Sequence, residues 1–236
     1  MSIAPGAVAV VTGASSGIGR AIACALAPQV ETLVVVARSV AALEALRDVL
    51  SPRTVRCEQV DLGDDGQVGR LVRGVGDALD VLVHAAGTIT VGPVERIAVD
   101  ALDAQYRVNL RAPYLLTRAL LPALRARQGQ VVFVNSTAGL VAQPGVAHYA
   151  ATKHGLRGLA DGLRAEVNAD GVRVISVYPG RTATPMQAAV HAAEGRPFDP
   201  ERLVQPEDVA ALVVQALCLP RTAEVTDITV RPFRKP

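Results

Sequence analysis

The sequence contains no tryptophan, few aromatic residues of any kind and no concentration of charge of one sign. Aromatic residues account for 3% of the 236 residues, whereas half of all residues are hydrophobic, so any core must consist mainly of alanine, valine and leucine. The 24 basic and 22 acidic residues are interspersed and leave a formal net charge of +2. Because binding to nucleic acid or to a membrane surface needs a charged patch, the sequence predicts neither kind of partner.

Cysteine is scarce and long apolar runs are missing. The three cysteines, Cys24, Cys57 and Cys218, are odd in number and far apart, which disfavours a disulfide framework and fits no zinc-site spacing. No apolar run approaches the roughly 20 residues of a membrane-spanning helix. The first residues also lack the basic and apolar regions of a signal peptide. We therefore expect a soluble, cytoplasmic protein without a metal site.

Short apolar runs alternate with helical patterns along the whole chain. The pattern predicts strands at 7–11, 33–37, 54–60, 80–86, 131–135, 172–178 and 225–230, and helices at 20–27, 40–50, 64–79, 99–127, 148–169 and 206–219. This alternation favours right-handed crossovers and a parallel sheet covered by helices on both faces. No linker or repeat divides it. We predict an α/β fold over residues 1–236: a single Rossmann-like domain with a doubly wound, mostly parallel seven-stranded sheet.

Three glycines, Gly13, Gly17 and Gly19, follow the first predicted strand and lead into a helix. This spacing differs from G-x-G-x-x-G, but it suits the same tasks: a tight turn, close approach of the backbone to a pyrophosphate, and close packing of helix on strand. The helix N-terminus then offers free N–H groups and the positive end of its dipole to a phosphate. The alternative is a turn with a purely structural role.

The residues after the second and third predicted strands indicate which dinucleotide is bound. An NAD site places a carboxylate about 20 residues beyond the glycines, whereas an arginine there accommodates the 2′-phosphate of NADP. Here Arg38 occupies that zone without an acid beside it, and Ser39 or Ser15 can add a hydroxyl. The sequence therefore favours NADP over NAD, the alternative being a solvent-exposed arginine. Asp61-Leu62 is expected at the level of the adenine, unless it forms only a strand-end turn.

Tyr149 and Lys153 are four residues apart on a predicted helix, and they therefore share one helical face. A nearby ammonium favours the phenolate and is expected to lower the pKa of Tyr149, which suits proton exchange with an alcohol or a carbonyl. Ser136 follows the fifth predicted strand, so its hydroxyl can approach the same substrate oxygen. Taken alone, the tyrosine and lysine also fit an ordinary surface pair.

Asn109 precedes a proline by four positions in the long predicted helix. The N–H four residues on would normally bond the Asn109 carbonyl, but Pro113 has no N–H and crowds that carbonyl. We expect a kink there, with a free acceptor that holds a water molecule and passes protons from Lys153 to solvent. The alternative is a helix break that serves packing alone.

Several motifs together resemble the short-chain dehydrogenase/reductase family over nearly the whole chain. They are TGASSGIG from Thr12, VDL ending at Leu62, VHAAG ending at Gly87, VNL around Asn109, VNSTAG around Ser136, YAATK from Tyr149 and YPGRTATPM from Tyr178. Enoyl reductases of that family have a wider tyrosine–lysine spacing, and its epimerases and dehydratases are usually longer. The fourth-strand motif departs from the family pattern, since Ala85 stands where an asparagine is usual and puts the stability of the sheet there in doubt.

The resemblance implies an NADP(H)-dependent oxidoreductase that transfers hydride between nicotinamide and a small carbonyl or secondary alcohol substrate. It implies that Tyr149 is the acid/base, that Lys153 holds the nicotinamide ribose, that Ser136 polarises the carbonyl and that Asn109 sustains a proton relay. The cofactor contacts implied by the motifs and the resemblance are Gly13, Ser15, Ser16, Gly17, Ile18, Gly19, Arg38, Ser39, Asp61, Leu62, Ala86, Gly87, Asn109, Tyr149, Lys153, Pro179, Gly180, Thr182 and Thr184.

The remaining expectations concern the substrate side and the assembly. Residues 181–205 are expected to form a mobile lid that becomes ordered when ligands bind. The resemblance also implies a homodimer or a homotetramer, although the C-terminus lacks the family's common Val-Asp-Gly-Gly ending. The alternative function is a non-catalytic NADP-binding scaffold or redox sensor, which would keep the fold without turnover. Substrate identity is beyond what the sequence predicts.

Overall fold

The fold is a parallel sheet between two layers of helices, in a computed structural model that describes residues 3–50 and 54–234. Within these residues the sheet has seven strands, all paired in parallel in the order β3-β2-β1-β4-β5-β6-β7. They are β1 Val8–Thr12, β2 Thr32–Ala37, β3 Thr54–Gln59, β4 Val81–His84, β5 Gln130–Val134, β6 Arg173–Pro179 and β7 Asp227–Val230. The predicted doubly wound α/β fold is confirmed.

Consecutive residues of the central strands enter two different cores. Val11 and Val35 pack in the first core, while Val10 and Val34 pack in the second. Side chains alternate across a strand, and a sheet covered on both faces therefore needs nearly continuous apolar strands. This is the reason that the alanine-, valine- and leucine-rich runs form strands.

The helices are divided between the two faces of the sheet. They are α1 Gly17–Leu26, α2 Val40–Leu50, α3 Asp65–Val75, α4 Val99–Tyr106, α5 Ala112–Ala126, α6 Ala147–Val167, α7 Pro185–Ala193 and α8 Pro206–Leu217. Buried residues of α1, α2 and α8 belong to the first core, and those of α3, α5 and α6 belong to the second. Each of these six helices therefore buries one apolar face against the sheet, as amphipathic helices do.

Two predicted helices differ from those in the structure. The helix predicted at 64–79 ends at Val75, because Gly76 adopts a φ of 90° that an L-residue rarely takes. The helix predicted at 99–127 is interrupted by a π-helical turn, Arg107–Arg111, between α4 and α5. Asn109 lies in that turn, four residues before Pro113. The helix is thus irregular where a kink was predicted from the missing proline N–H, and the irregularity takes the form of a π turn. The free Asn109 carbonyl and its proton relay stay predictions.

The segment predicted as a mobile lid, residues 181–205, contains a helix that was not predicted. Helix α7 begins after Thr184, whose hydroxyl accepts a hydrogen bond from the Gln187 N–H. Proline at the first helical position and a threonine N-cap both favour helix initiation there. The Arg181 guanidinium binds the Glu194 carboxylate at 2.8 and 2.9 Å and so connects the start of this region to the end of α7. Movement of this segment stays a prediction.

Two kinds of feature are absent from residues 3–50 and 54–234. No helix there combines the length and the apolar character that crossing a membrane requires. In the same part of the chain, no group of three or more His, Cys, Asp or Glu side chains is arranged to hold a metal ion.

Candidate active site

A cavity of about 720 Å³ opens at the carboxyl edge of the sheet, where the strand order reverses between β1 and β4. Ligands of open α/β sheets bind at such a reversal point. Most of the predicted site residues line it: Gly13, Ser15, Ser16, Gly17, Ile18, Gly19, Arg38, Asp61, Leu62, Ala86, Gly87, Ser136, Tyr149, Lys153, Pro179, Gly180, Thr182 and Thr184. Two predicted residues, Ser39 and Asn109, do not line the cavity.

The glycine turn after β1 is built by close contacts that exclude side chains. A Cβ at Gly13 would lie 2.7 Å from the Ala86 Cα atom, and one at Gly19 would lie 2.3 Å from the Gly13 carbonyl oxygen. Gly13 and Gly17 also have φ values of 68° and 53°. Glycine is therefore required at these positions for the backbone to turn and for α1 to start against the turn. The N-terminus of α1 faces the cavity with its N–H groups available.

A threonine that the sequence analysis did not single out connects the turn to β4. The Thr12 hydroxyl accepts hydrogen bonds from the Ala85 and Ala86 N–H groups at 3.1 and 3.3 Å, and it donates one to the Val83 carbonyl at 3.2 Å. These bonds hold the two strand ends together beside the cavity. The Thr12 hydroxyl thus joins the two strand ends beside Ala85, where the usual asparagine amide is missing. The effect of Ala85 on the stability of the sheet stays a prediction.

Arg38 and the loop after β3 form one end of the cavity. The Arg38 side chain is exposed, and its backbone carbonyl accepts a hydrogen bond from the Gln59 amide at 3.2 Å. Asp61 is positioned by the Gln67 side chain, which accepts from the Asp61 N–H at 2.9 Å. Ser39 takes another role, because its hydroxyl accepts from the Ala42 N–H at 3.3 Å and caps α2.

Tyr149, Lys153 and Ser136 meet at the opposite end of the cavity. Tyr149 and Lys153 lie one turn apart on α6 with 9% and 3% of their surface exposed, and the ammonium is 5.8 Å from the centre of the phenol ring. Ser136 lies two residues beyond the end of β5, and its hydroxyl accepts from the Ala138 N–H at 3.1 Å. The Lys153 ammonium donates to the Val134 carbonyl at 3.0 Å, which joins α6 to the end of β5.

Burial controls the proton affinities of this pair. Removal from water raises the pKa of Tyr149 to about 12, and the Ser136 hydroxyl acts weakly in the opposite direction. Burial also lowers the pKa of Lys153 to about 8. The prediction that Lys153 gives Tyr149 a net lower pKa is therefore wrong for this structure. Desolvation of the phenolate is the largest influence on this pKa, and the ammonium donates its hydrogen bond to Val134 and not to the phenol.

Asn109 lies behind the cavity wall and is fully buried. Its amide oxygen accepts from the Thr88 N–H at 2.8 Å, and its amide nitrogen donates to the Thr88 carbonyl at 2.9 Å. The same nitrogen donates to the Thr152 hydroxyl at 3.1 Å. A Cβ at Gly87 would lie 3.6 Å from the Asn109 amide oxygen and 3.9 Å from the Lys153 ammonium, so these groups converge behind Gly87. Sequence reasoning missed Thr88 and Thr152.

The wall near Tyr149 is mostly apolar and comes from three loops. The loop after β4 supplies Ile89, and the loop before α6 supplies Gln143, Pro144 and Val146. The region around α7 adds further residues of the cavity wall, which are Arg181, Met186, Gln187, Val190 and Glu194. A hydrogen bond of 2.8 Å from the Gly92 N–H to the Gly145 carbonyl joins the first two loops.

Comparison with protein families gives a match over most of this chain. The model of the short chain dehydrogenase family matches residues 7–195. An uncharacterized short-chain type dehydrogenase/reductase of Sinorhizobium fredii is 34% identical over 231 residues, which cover 95% of this chain and 91% of that protein.

Solved structures with the same fold extend the likeness. An alcohol dehydrogenase from the archaeon Thermococcus sibiricus, complexed with 5-hydroxy-NADP, superposes with a TM-score of 0.88 at 28% identity and covers 98% of both chains. A metagenomic short-chain oxidoreductase in complex with NADP superposes with a TM-score of 0.83 at 32% identity, again covering 98% of both chains. The resemblance stated from the sequence motifs is confirmed by these matches.

Gly19→Ala tests the packing of the glycine turn. The added Cβ would overlap the Gly13 carbonyl, and we expect the free energy of unfolding to fall by about 1–3 kcal/mol. Urea denaturation measures this change. Gly158→Ala is the matched control, because a Cβ at this exposed position of α6 meets nothing within 4 Å and should stabilise the helix slightly. Equal stability of Gly19→Ala and wild type would contradict the packing argument.

Lys153→Met tests the burial of the ammonium through its pH dependence. The folded protein loses the Lys153 proton near pH 8, whereas the unfolded chain keeps it to an ordinary pKa of 10.5. The free energy of unfolding of wild type therefore rises with pH between these two pKa values. The free energy of unfolding of the variant relative to wild type should fall by about 3 kcal/mol over the same range. Urea denaturation at both ends of the window measures the change.

The control for that titration is Arg157→Met, an exposed cation on the same helix, whose stability relative to wild type should not change with pH over this range. A stability difference between Lys153→Met and wild type that is constant with pH would show that Lys153 keeps an ordinary pKa in the folded protein.

Proposed function

The chain belongs to the short-chain dehydrogenase/reductase family, and on that premise we propose that it is an NADP(H)-dependent oxidoreductase acting on a carbonyl or secondary alcohol. The observation that carries this proposal is the convergence on one cavity of the glycine turn, Ser136, Tyr149 and Lys153. A glycine turn at a helix N-terminus suits the pyrophosphate of a dinucleotide, and a buried phenol–ammonium pair suits the proton transfer that accompanies hydride transfer.

The residues present suit an NADP dinucleotide. The backbone at Gly13 and Gly19 is too closely packed to admit a side chain, which leaves the N–H groups at the start of α1 clear to bind a pyrophosphate. Arg38 offers a guanidinium to a 2′-phosphate, and no acid beside it would repel that phosphate. Both structural relatives described above carry NADP or its 5-hydroxy derivative, which supports the same assignment.

The protein's own part in the reaction is to position and to move a proton. When bound, the nicotinamide ring supplies or accepts the hydride. In the direction of reduction, the Tyr149 hydroxyl would donate its proton to the carbonyl oxygen as negative charge develops there, while the Ser136 hydroxyl donates a hydrogen bond to the same oxygen. Lys153 would hold the ribose and lie next to the resulting phenolate.

The high pKa of Tyr149 fits this direction of chemistry. A phenol with a pKa of about 12 is fully protonated near neutral pH and is ready to act as an acid. An oxidised nicotinamide carries a positive charge and would lower that pKa again by stabilising the phenolate. The lowering of the Tyr149 pKa was expected from Lys153 alone. We therefore assign it to the complete site, in which the cofactor and the lysine act together.

We assign residues 181–205 to a lid over the substrate end. The segment lines the cavity through α7 and through Thr182 and Thr184 at its start, which would cover the nicotinamide. The lid and the loop before α6 contribute apolar side chains to the cavity wall, among them Val146, Met186 and Val190. We therefore infer a small, largely hydrophobic ketone or alcohol as the substrate class.

Arg38→Ala tests the preference for NADP. Loss of the guanidinium should lower kcat/KM for NADPH by about tenfold to hundredfold, through loss of a charge-assisted contact of about 1.5–3 kcal/mol, and should leave kcat/KM for NADH unchanged. Steady-state kinetics with both cofactors measure this. Arg47→Ala, on the exposed face of α2, is the control and should behave as wild type. Equal turnover of NADPH and NADH by wild type would contradict the role of Arg38.

A screen of NADPH oxidation with diverse aldehydes and ketones tests the function itself. We expect wild type to oxidise NADPH with at least one of them, and Tyr149→Phe, which keeps the ring and loses the proton, to be slower by about a hundredfold to ten thousandfold. Calorimetric binding of NADP⁺ by Tyr149→Phe shows that the variant is intact. Full activity of Tyr149→Phe would contradict the assigned acid, and NADP⁺ binding without turnover would favour the scaffold or sensor.

A further inference from the structure

Thr152 lies inside α6 between Tyr149 and Lys153 and is 3% exposed. It does not line the cavity. Its hydroxyl makes two hydrogen bonds: it donates to the Tyr149 carbonyl at 2.8 Å and accepts from the Asn109 amide nitrogen at 3.1 Å. A threonine in a helix often donates to a carbonyl of the preceding turn. The second bond, to a residue of another helix, is the unusual feature.

The directions of these hydrogen bonds are determined by the groups themselves. The hydroxyl has a single proton, which the Tyr149 carbonyl receives, so toward Asn109 it can only accept. This fixes which way the Asn109 amide points. Its second N–H then donates to the Thr88 carbonyl, and its oxygen accepts from the Thr88 N–H. Every hydrogen-bonding position of the amide except one lone pair is used, and a flipped amide would place like groups together.

The Thr152 bond adds a directed contact between two parts of the site that also pack against each other. Asn109 lies in the π-helical turn, and Tyr149 and Lys153 lie on α6. A Cβ at Gly155 of α6 would lie 2.8 Å from a Leu110 methyl carbon, so the turn and the helix are in apolar contact as well. Among the side-chain hydrogen bonds of residues 3–50 and 54–234, the Thr152 bond is the one that joins Asn109 to α6, and a low-dielectric interior penalises its loss. The orientation of the Asn109 amide relative to the Tyr149–Lys153 turn therefore depends on the Thr152 hydroxyl.

We propose that Thr152 is a positioning residue for proton transfer, and that it sets the place of Asn109 relative to Tyr149 and Lys153. The inference rests on the proposed function for its catalytic consequence, but its structural half stands on the contacts alone. Thr152 touches neither substrate nor cofactor in this account. Its effect should appear in kcat and in the pH dependence of kcat, and not in the affinity for NADP(H).

Three variants separate positioning from packing. Thr152→Val keeps the shape and removes the hydroxyl, whereas Thr152→Ser keeps the hydroxyl and removes a methyl group. Thr117→Val is the matched control, because Thr117 on α5 is equally buried, its hydroxyl lies 2.8 Å from His84 Nε2, and neither residue lines the cavity. It loses one buried hydrogen bond, whereas Thr152→Val loses two. Thermal unfolding of all three reports the purely structural cost.

We expect Thr152→Val to lower kcat by about tenfold to hundredfold, because small misplacement of a catalytic group has effects of that size. The pH profile of its kcat should shift, while KM for NADPH stays within about twofold of wild type, as expected for a group outside the binding surface. Thr152→Ser should restore most of the rate. Thr117→Val should lower the unfolding temperature and leave the pH profile unchanged. A Thr152→Val enzyme with the wild-type profile would overturn the proposal.

Amide hydrogen exchange at Thr88 tests the same inference without turnover. The Thr88 N–H is donated to the Asn109 amide, so release of that amide in Thr152→Val should accelerate its exchange several-fold, and Thr152→Ser should not. Exchange at Thr88 that equals wild type in Thr152→Val would overturn the proposal even if no carbonyl substrate is found. Failure of wild type to oxidise NADPH, together with faster exchange in Thr152→Val, would count against the proposed function alone.

Discussion

The burial of one ammonium group organises the candidate site. Lys153 is 3% exposed, and its ammonium donates to the carbonyl of Val134, the last residue of β5. An ammonium removed from water needs hydrogen-bond partners. Helix α6 must therefore lie where the Lys153 side chain reaches the end of β5. Tyr149, one turn earlier, is thereby placed beside Ser136, two residues beyond Val134. The cost of removing these two groups from water appears in their pKa values: the pKa of Lys153 is lowered and that of Tyr149 is raised.

The sheet order places the two halves of the site next to each other. Strands β1 and β4 are neighbours at the point where the order reverses, and β5 and β6 follow on one side. The glycine turn after β1 therefore faces the residues that follow β4, β5 and β6 across one cavity. Two features hold the ends of β1 and β4 close enough for this arrangement. The Thr12 hydroxyl bonds the backbone after β4, and Gly13, which has no side chain, lets the backbone contact Ala86 directly.

Local signals predicted most of the fold and much of the site. Apolar runs gave the order of strands and helices, the glycine spacing indicated the turn at α1, and Pro113 indicated the break at Asn109. These features depend on a few neighbouring residues, and the sequence displays them directly. Boundaries set by a single backbone conformation were less accurate, as with Gly76 at the end of α3. Helix α7 was missed because an alanine-rich stretch after a Pro-Gly turn was interpreted as mobile.

Contacts between residues that are far apart in the chain could not be predicted from the sequence. Thr12 and Thr152 were not singled out, because their partners lie 71 to 74 and 43 positions away for the bonds that matter. Ser39 was assigned to the cofactor, although its hydroxyl caps α2. The pKa of Tyr149 depends on how completely the fold excludes water from the phenol, and the spacing of a motif does not encode this. The expected dimer or tetramer stays a prediction for the same reason, since it depends on surfaces that meet across chains.

The central claim is that this cavity transfers a hydride between NADPH and a carbonyl carbon, with Tyr149 supplying the proton. The most direct measurement is to follow deuterium from NADPH labelled at C4 of the nicotinamide into the product, by mass spectrometry and NMR. The account predicts one deuterium on the carbinol carbon of the product and a solvent-derived proton on its oxygen. Consumption of labelled NADPH without deuterium on the product carbon, whichever face of C4 carries the label, would contradict it.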